Sequence, residues 1–225
     1  MREEIQKFCQ KLLENGVVTL DTETTGLGSD AEVVEMAWVR NDNARAGFVS
    51  NESLILPTRP IPQAATDIHG ITNEMVQEEG RWFVEVVGLF RKSVAGVPVA
   101  IFNTVYDETV LDRTACFHNC ETLTPILATA SMVVDVMELA NRYLVAFAEW
   151  DVSQSKFKRL SLQRCCEIAG IEFKGQAHRA CADATATMEL IRFMADDRHL
   201  LVDPDPSGRE IPLATKFYNR AEVSH

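Results

Sequence analysis

The chain has 225 residues, 46% of them hydrophobic, so it can bury the core of one domain, and a disordered chain is disfavoured. Its formal net charge of −11 argues against a protein that binds a long stretch of duplex nucleic acid, because such proteins usually carry a basic footprint. No apolar stretch approaches the roughly 20 residues that span a bilayer, and the charged start at residues 1–4 is unlike a secretory signal. We therefore expect a cytoplasmic protein that makes no membrane contact.

The N-terminal part of the chain predicts one helix and three strands. Apolar residues at helical spacing within residues 2–14 indicate an amphipathic helix that ends at Asn15 and Gly16. Three strand-like runs follow, at residues 17–22, 32–39 and 48–56. Their short connections favour an antiparallel meander. A proline-rich loop is expected over residues 57–72.

Helices and strands alternate in the rest of the chain. Short apolar runs at residues 97–102 and 132–136 predict two more strands. The predicted helices cover residues 82–95, a segment from about residue 106, and residues 137–144, 161–169 and 180–196. Residues 146–160 are the least regular internal segment and predict a mobile loop. The order of elements indicates an α/β fold with a mixed five-stranded sheet, three antiparallel strands and then parallel strands, flanked by helices.

The six cysteines predict reduced thiols, most of them buried, because a chain of this length needs no disulfide bonds to hold its core. They are Cys9, Cys116, Cys120, Cys165, Cys166 and Cys181. Residues 116–120, which include His118, could contribute to a zinc site. A structural zinc site usually shows a second pair of ligands, and the sequence offers none. Ordinary cysteines at the end of a helix are the favoured interpretation.

Two acids end the first predicted strand. Residues two apart in a strand point to the same side, so Asp21 and Glu23 project together. Two carboxylates this close repel each other unless they are protonated or hold a cation. Divalent metals such as magnesium and manganese prefer such oxygen ligands. The alternative interpretation is a pair of solvated acids at the end of a strand.

Three residues farther along the chain are further candidates for the same site. Asp107 follows the apolar run at 97–102 near the start of a helix, where an acid that caps the helix is the alternative. His178 and Asp183 are five residues apart, so on a regular helix their side chains would diverge by roughly 140°. They can converge only if His178 precedes the helix. A surface histidine is the alternative for that position.

Four segments of the chain resemble the motifs of the DnaQ-like (DEDD) 3′→5′ exonucleases. Residues 20–27, Leu-Asp-Thr-Glu-Thr-Thr-Gly-Leu, resemble the first motif, and residues 102–107 resemble the second, with Asn103 four residues before the acid. Residues 178–183 match the third motif of the branch that uses histidine as the base; the tyrosine branch has tyrosine where this chain has Arg179. Residues 68–72 resemble a further segment near the substrate. The resemblance runs from residue 17 to about residue 195.

The resemblance implies a ribonuclease H-like fold and a hydrolase that uses two divalent cations, Mg²⁺ or Mn²⁺. By similarity to the family, His178 is the general base that takes a proton from the attacking water, a role that suits a side chain titrating near neutrality. The implied metal ligands are Asp21, Glu23, Asp107 and Asp183. The implied product is a nucleoside 5′-monophosphate released from a 3′ end.

The resemblance also implies which residues contact the substrate. The segment that contains Thr24, Gly26 and Leu27 is expected against the terminal nucleotide, and His69 and Asn103 are further expected contacts. The family often has histidine and phenylalanine where this chain has Phe102 and Tyr106, so altered packing is expected there. The domain is expected to cover residues 1–200 as a single DnaQ-like exonuclease domain with an extra N-terminal helix, followed by a C-terminal extension at 201–225.

Alternatives are left open at this point. Single-stranded DNA is the favoured substrate, and an exoribonuclease or oligoribonuclease is the first alternative, because DNA and RNA differ at one hydroxyl group. The second alternative is a catalytically silent module that binds nucleic acid or a polymerase-like partner. A protein partner or self-association through the N-terminal helix or residues 200–225 is compatible with either interpretation.

Overall fold

A mixed five-stranded sheet forms the centre of the protein in the computed structural model, which describes residues 1–42, 47–151, 153–154, 156–173 and 178–196. The sheet order is β3-β2-β1-β4-β5. Its strands are β1 (Val18–Thr24), β2 (Val33–Asp42), β3 (Gly47–Leu54), β4 (Val99–Ile101) and β5 (Val133–Asp135). The first three strands pair antiparallel, whereas β4 and β5 run parallel to β1. The predicted fold class is therefore confirmed.

Helices cover both faces of the sheet. They are α1 (Arg2–Asn15), α2 (Gln63–His69), α3 (Asn73–Glu79), α4 (Phe83–Ser93), α5 (Thr104–Phe117), α6 (Val136–Tyr143), α7 (Leu162–Ala169) and α8 (Ala180–Ala195). Strand β1 shows how alternate residues serve the two faces. Val18 and Leu20 pack into the core beneath α4 and α5, whereas Thr19 donates a hydrogen bond to the Ala184 carbonyl of α8 (2.7 Å).

The N-terminal helix is part of the core of its own chain. Ile5, Cys9 and Leu12 are buried in a cluster that also contains Met188 and Ile191 of α8. The apolar face that predicted an amphipathic helix is therefore covered within the chain. A partner that binds α1 would meet its exposed polar face. The predicted extension at 201–225 lies outside the described residues.

Two segments are more regular than the sequence analysis predicts. The expected loop at 57–72 contains α2, and the chain then enters α3. The prolines mark only the start of α2, while the Thr72 side chain accepts a hydrogen bond from the Met75 amide and caps α3. Within 146–160, two short strands, β6 (Trp150–Asp151) and β7 (Lys156–Phe157), pair as a hairpin.

The cysteines behave as ordinary thiols. All six are free: Cys9, Cys165 and Cys166 are buried, and Cys116 is exposed. In the part of the chain that the structure describes, the one group of three side chains placed to hold a metal consists of carboxylates, not cysteines. No helix among the described residues has the length and apolar character to cross a bilayer.

Candidate active site

Three carboxylates meet between β1 and α8. Asp21 and Glu23 project from β1 toward the face that α8 covers, as their spacing predicts. Asp183 lies in the first turn of α8, which the bond from Thr19 to Ala184 ties to the same strand. One oxygen from each of the three carboxylates lies within 4.8 Å of the other two. The structure therefore brings these three predicted residues together.

The electrostatics of this cluster favour a bound cation. Burial, followed by the charge of Asp107 and then that of Asp183, raises the pKa of Asp21 well above its usual range. Burial and then Asp183 raise the pKa of Glu23 to about 8. Asp183 Oδ1 is buried and has no hydrogen-bond partner among the described residues. A divalent cation would satisfy that oxygen and remove the repulsion, so the donor set fits the metal that the sequence predicts.

Asp107 lies beside this group but is not one of its three members. It is 4% exposed in the first turn of α5 and accepts a hydrogen bond from Thr22 Oγ1 (2.8 Å). Burial raises the pKa of Asp107 to about 7, and the charge of Asp107 in turn raises the pKa of Asp21. The predicted acid is therefore at the site, approaching from the α5 side of the sheet.

His178 precedes α8, as convergence with Asp183 requires. Its φ of 62° lies in the left-handed region, which costs a residue other than glycine about 1–3 kcal/mol and persists only where the surroundings fix it. Its side chain is exposed. Burial raises the pKa of Asp183, and the nearby His178 partly offsets that rise. The structure thus places an exposed imidazole next to the acid cluster.

A hydrogen-bonded segment at the end of β1 forms the neighbouring part of the site. Thr24 Oγ1 lies 2.8 Å from the Tyr106 hydroxyl, which donates to the Gly26 carbonyl (2.9 Å). His69 Nδ1 accepts from the Ile71 amide (3.0 Å), which leaves Nε2 to donate to the Thr24 carbonyl (3.2 Å). The segment is therefore fixed from two sides.

The ring of His69 is buried, and its nitrogens are occupied within the chain. It is 2% exposed, and both of its ring nitrogens bind backbone groups of the chain. Burial lowers the pKa of His69, which favours the neutral ring. His69 supports the backbone of Thr24 instead of offering a free ring nitrogen to a substrate.

Comparison with known proteins identifies the family of the chain. The family model for exonucleases of the RNase T type matches residues 18–191. The uncharacterized exonuclease CP81 of Escherichia phage 186 is 32% identical over 194 residues, which are 85% of this chain and 94% of that protein. The chain belongs to the DnaQ-like exonuclease family.

Further relatives agree with the family and the fold. This exonuclease is 28% identical over 193 residues to the DNA polymerase III subunit epsilon of Pasteurella multocida, covering 83% of the chain and 70% of that subunit. Its fold matches Escherichia coli Exonuclease I in complex with a dT13 oligonucleotide with a TM-score of 0.64 at 16% identity. That match covers 83% of this chain but only 42% of the Exonuclease I chain. The fold is ribonuclease H-like, and the enzyme belongs to a metal-dependent family of hydrolases.

Exposed apolar side chains of the exonuclease follow or precede residues of the hydrogen-bonded segment in the chain. Leu27, which follows Gly26, is 88% exposed, and Val105, which precedes Tyr106, is 73% exposed. Ile68, next to His69, is 58% exposed. Asn103 is exposed at the start of α5 with a φ of 73°. The exposure of Val105 and Ile68 was not predicted, because an apolar residue in a sequence gives no sign that it is exposed.

Two further residues that the sequence analysis missed bind the elements that carry the candidate site residues of the exonuclease. Asp135 accepts hydrogen bonds from the amides of Glu138 (3.0 Å) and Thr104 (3.3 Å), so it caps α6 and holds the start of α5. Glu35 is fully buried and binds Arg179. An acid three residues before Glu138, and a charged residue in the apolar run at 33–39, were the available signals.

Proposed function

We propose that this exonuclease removes nucleotides from the 3′ end of single-stranded DNA and releases nucleoside 5′-monophosphates, with two divalent cations, Mg²⁺ or Mn²⁺, as cofactors. The single observation that carries the proposal is the cluster of Asp21, Glu23 and Asp183 with its buried, unpartnered Asp183 oxygen. Binding of oligonucleotides such as dT13 by a protein of the same fold supports DNA as the substrate.

The metal ligands are proposed from the chemistry of the donor set. Asp21, Glu23 and Asp183 would hold one cation, and Asp107, which lies outside the group of three, would take part in holding the second. When bound, the cations supply positive charge that neutralises the carboxylates and stabilises the charge developing on the phosphate. Oxygen donors without cysteine or histidine favour Mg²⁺ or Mn²⁺ over softer metals.

His178 is proposed as the general base. Its imidazole is exposed and lies beside Asp183, so a water molecule that attacks the phosphate can reach it. His178 would take one proton from that water as the new phosphorus–oxygen bond forms, and the proton would then pass to solvent. The bond that breaks joins phosphorus to the 3′ oxygen of the preceding nucleotide, which takes a proton from solvent, and the products are a 5′-monophosphate and a shortened strand with a free 3′ hydroxyl.

The segment of Thr24, Gly26 and Leu27 is proposed to hold the terminal nucleotide. Tyr106 and His69 fix its backbone, and Leu27, the residue after Gly26, presents an exposed apolar side chain. A base of any identity can pack against such a side chain, because every base has a flat face available for contact. We propose that the exposed Asn103 lies along the same path.

The polarity of digestion is tested with an oligonucleotide labelled at its 5′ end, incubated with Mg²⁺. Digestion from the 3′ end gives a ladder of shortening labelled products, and chromatography identifies unlabelled 5′-monophosphates. Early release of a labelled mononucleotide would show digestion from the 5′ end and would contradict the proposal. Activity that survives excess chelator would contradict the metal requirement.

The substrate is tested by comparing single-stranded DNA, duplex DNA and RNA of the same sequence at equal concentrations. We expect the highest kcat/KM for single-stranded DNA. A higher value for RNA would replace the proposal with an exoribonuclease. Binding of DNA without release of nucleotides from any of the three would favour the silent module.

A further inference from the structure

Glu35 is a fully buried carboxylate beside the acid cluster. The antiparallel register of β1 and β2 pairs Glu23 with Glu35, so both side chains lie on the face of the sheet that α8 covers. Glu35 has no exposed surface, and its charge contributes to raising the pKa of Glu23. Yet Glu35 is not one of the three carboxylates placed to share a metal. Its role therefore needs another explanation.

Arg179 and the start of α8 occupy the Glu35 carboxylate. Arg179 Nε lies 3.0 Å from each of the two Glu35 oxygens, and its Nη2 also donates to Glu35 Oε1. The amide of Ala180, the first residue of α8, donates to Glu35 Oε2 (2.8 Å). Both oxygens thus have donors, and little capacity is left for a cation.

The same guanidinium reaches a second strand. Arg179 Nη2 donates to Glu52 Oε1 on β3 (2.9 Å), so one side chain links β2, β3 and the turn before α8. Such a fixed, planar arrangement of donors is specific to arginine, since a lysine ammonium is a compact point charge with rotatable donors. The turn that this side chain anchors contains His178, the residue directly before Arg179, in its left-handed conformation.

We infer that the ion pair of Arg179 and Glu35 is a positioning device that holds the His178 imidazole at the acid cluster and keeps Glu35 out of the metal site. The inference rests on the proposed role of His178 as the base. Neither Arg179 nor Glu35 is assigned contact with the substrate: Arg179 acts through the turn that it anchors.

A double-mutant cycle tests this inference on the full chain, with Arg179→Lys, His178→Ala and the combined variant. Arg179→Lys retains the charge but loses the planar arrangement of donors, and we expect kcat to fall roughly 10- to 100-fold while KM for the oligonucleotide changes less than threefold. His178→Ala is expected to lower kcat by roughly 10²- to 10⁴-fold. If Arg179 acts through His178, the combined variant is no slower than His178→Ala alone.

Control variants distinguish the possible outcomes of this cycle. Arg81→Lys, which changes an exposed arginine paired with Glu85, should leave kcat within twofold of the unchanged protein. Glu35→Gln, which retains the shape of the acceptor, replaces Arg179→Lys in the cycle if that variant fails to fold. Unchanged kcat for Arg179→Lys, or a combined loss equal to the product of the two single losses, would overturn the inference while leaving the proposed base intact. Unchanged kcat for His178→Ala would instead overturn the proposed base.

Discussion

The two sides of the proposed active site differ in their electrostatics. The acidic side consists of Asp21, Glu23, Asp107 and Asp183; the neutral side consists of Thr24, Gly26, Leu27, His69 and Tyr106. On the acidic side, burial raises the pKa of every carboxylate, and one buried oxygen has no partner among the described residues. On the neutral side, the polar groups bind one another and require no cation.

This difference indicates a division of function, with catalysis on the acidic side and substrate binding on the neutral side. Without a cation, the carboxylates of the acidic side repel one another, and a bound cation removes that repulsion. Because the cations stabilise the charge that develops in the transition state, substitutions on the acidic side should lower kcat. The neutral side is already satisfied and presents apolar surface, so changes there should alter how well the substrate binds.

Asp21→Asn should abolish catalysis while leaving DNA binding nearly intact. The change removes a carboxylate from the group of three and with it much of the attraction for the cation. We expect kcat to fall roughly 10³-fold or more, since several kcal/mol of transition-state stabilisation depend on the cations. Steady-state kinetics with Mg²⁺ measures the loss, and fluorescence anisotropy measures binding of the oligonucleotide.

The matched control is Glu78→Gln, which changes an exposed acid on α3 and should retain full activity. A circular dichroism spectrum like that of the unchanged protein would show that the Asp21 variant is folded. If kcat for Asp21→Asn fell less than tenfold, the acidic side would not carry out the catalytic step, and the proposed difference in function between the two sides would be wrong.

The metal-free protein should lose stability as the pH rises. Glu23, with its ordinary pKa of 4.5, has a pKa of about 8 in the fold, and Asp107, with its ordinary pKa of 3.8, has a pKa of about 7. Between about pH 4 and pH 8 these two carboxyl groups therefore bind more protons in the folded protein than in the unfolded chain, and their contribution to the free energy of unfolding decreases as the pH rises. We expect a decrease of at least about 1 kcal/mol, roughly 2–4 °C in Tm.

Thermal unfolding in chelator from pH 5 to pH 8 measures this effect. Saturating Mg²⁺ should reduce the slope, because the cation replaces the protons, and Asp21→Asn should reduce it in the absence of metal. A metal-free protein whose Tm is constant or rises over this range would show that the cluster is not electrostatically strained. The contrast between the two sides would then disappear.

Local patterns in the sequence predicted most of the acidic side. The alternation of a strand placed Asp21 with Glu23, and the requirement that His178 precede its helix is met by a helix that begins at Ala180. Asp107 followed from the order of a strand and a helix. Each of these inferences depends on residues within one element or one turn, where geometry is largely set by the backbone.

The features that the sequence did not predict depend on contacts between residues far apart in the chain. Glu35 reaches the cluster because β2 pairs with β1 in one register, and Arg179 binds it across 144 positions of the chain. His69 was predicted as a substrate contact, but the packing of α2 against the Thr24 segment uses both of its ring nitrogens. The helix α2 lies within the loop that the prolines before it predict, and α3 was not predicted although Thr72 caps it.

Leu27→Ala should weaken substrate binding with little effect on the chemical step. Leu27 is 88% exposed in the absence of substrate, so the stability of the protein should not change. Burial of a leucine side chain against a base stabilises binding by about 1.5–3 kcal/mol, of which alanine retains a part. We therefore expect KM to rise about tenfold and kcat to change less than threefold. Steady-state kinetics on single-stranded DNA measures both.

Leu89→Ala is the matched control, because Leu89 is 41% exposed on α4, on the other face of the sheet from α8. It should leave KM unchanged. A large loss of kcat for Leu27→Ala at constant KM would place Leu27 in the chemical step and would contradict its assignment to the neutral side.

The smallest effect is expected for Tyr106→Phe, which removes only the hydroxyl that joins Thr24 to Gly26. A neutral hydrogen bond contributes about 0.5–1.5 kcal/mol, and the ring, which packs against the core, is retained. The backbone of the segment is still held by His69, so we expect KM to rise about two- to fivefold while kcat stays within twofold.

Tyr143→Phe is a suitable control, because the buried Tyr143 hydroxyl has no hydrogen-bond partner among the described residues. If Tyr106→Phe lowered kcat more than KM changed, the segment would be coupled to the carboxylates through Asp107, the next residue in the chain, and the two sides would act as one unit.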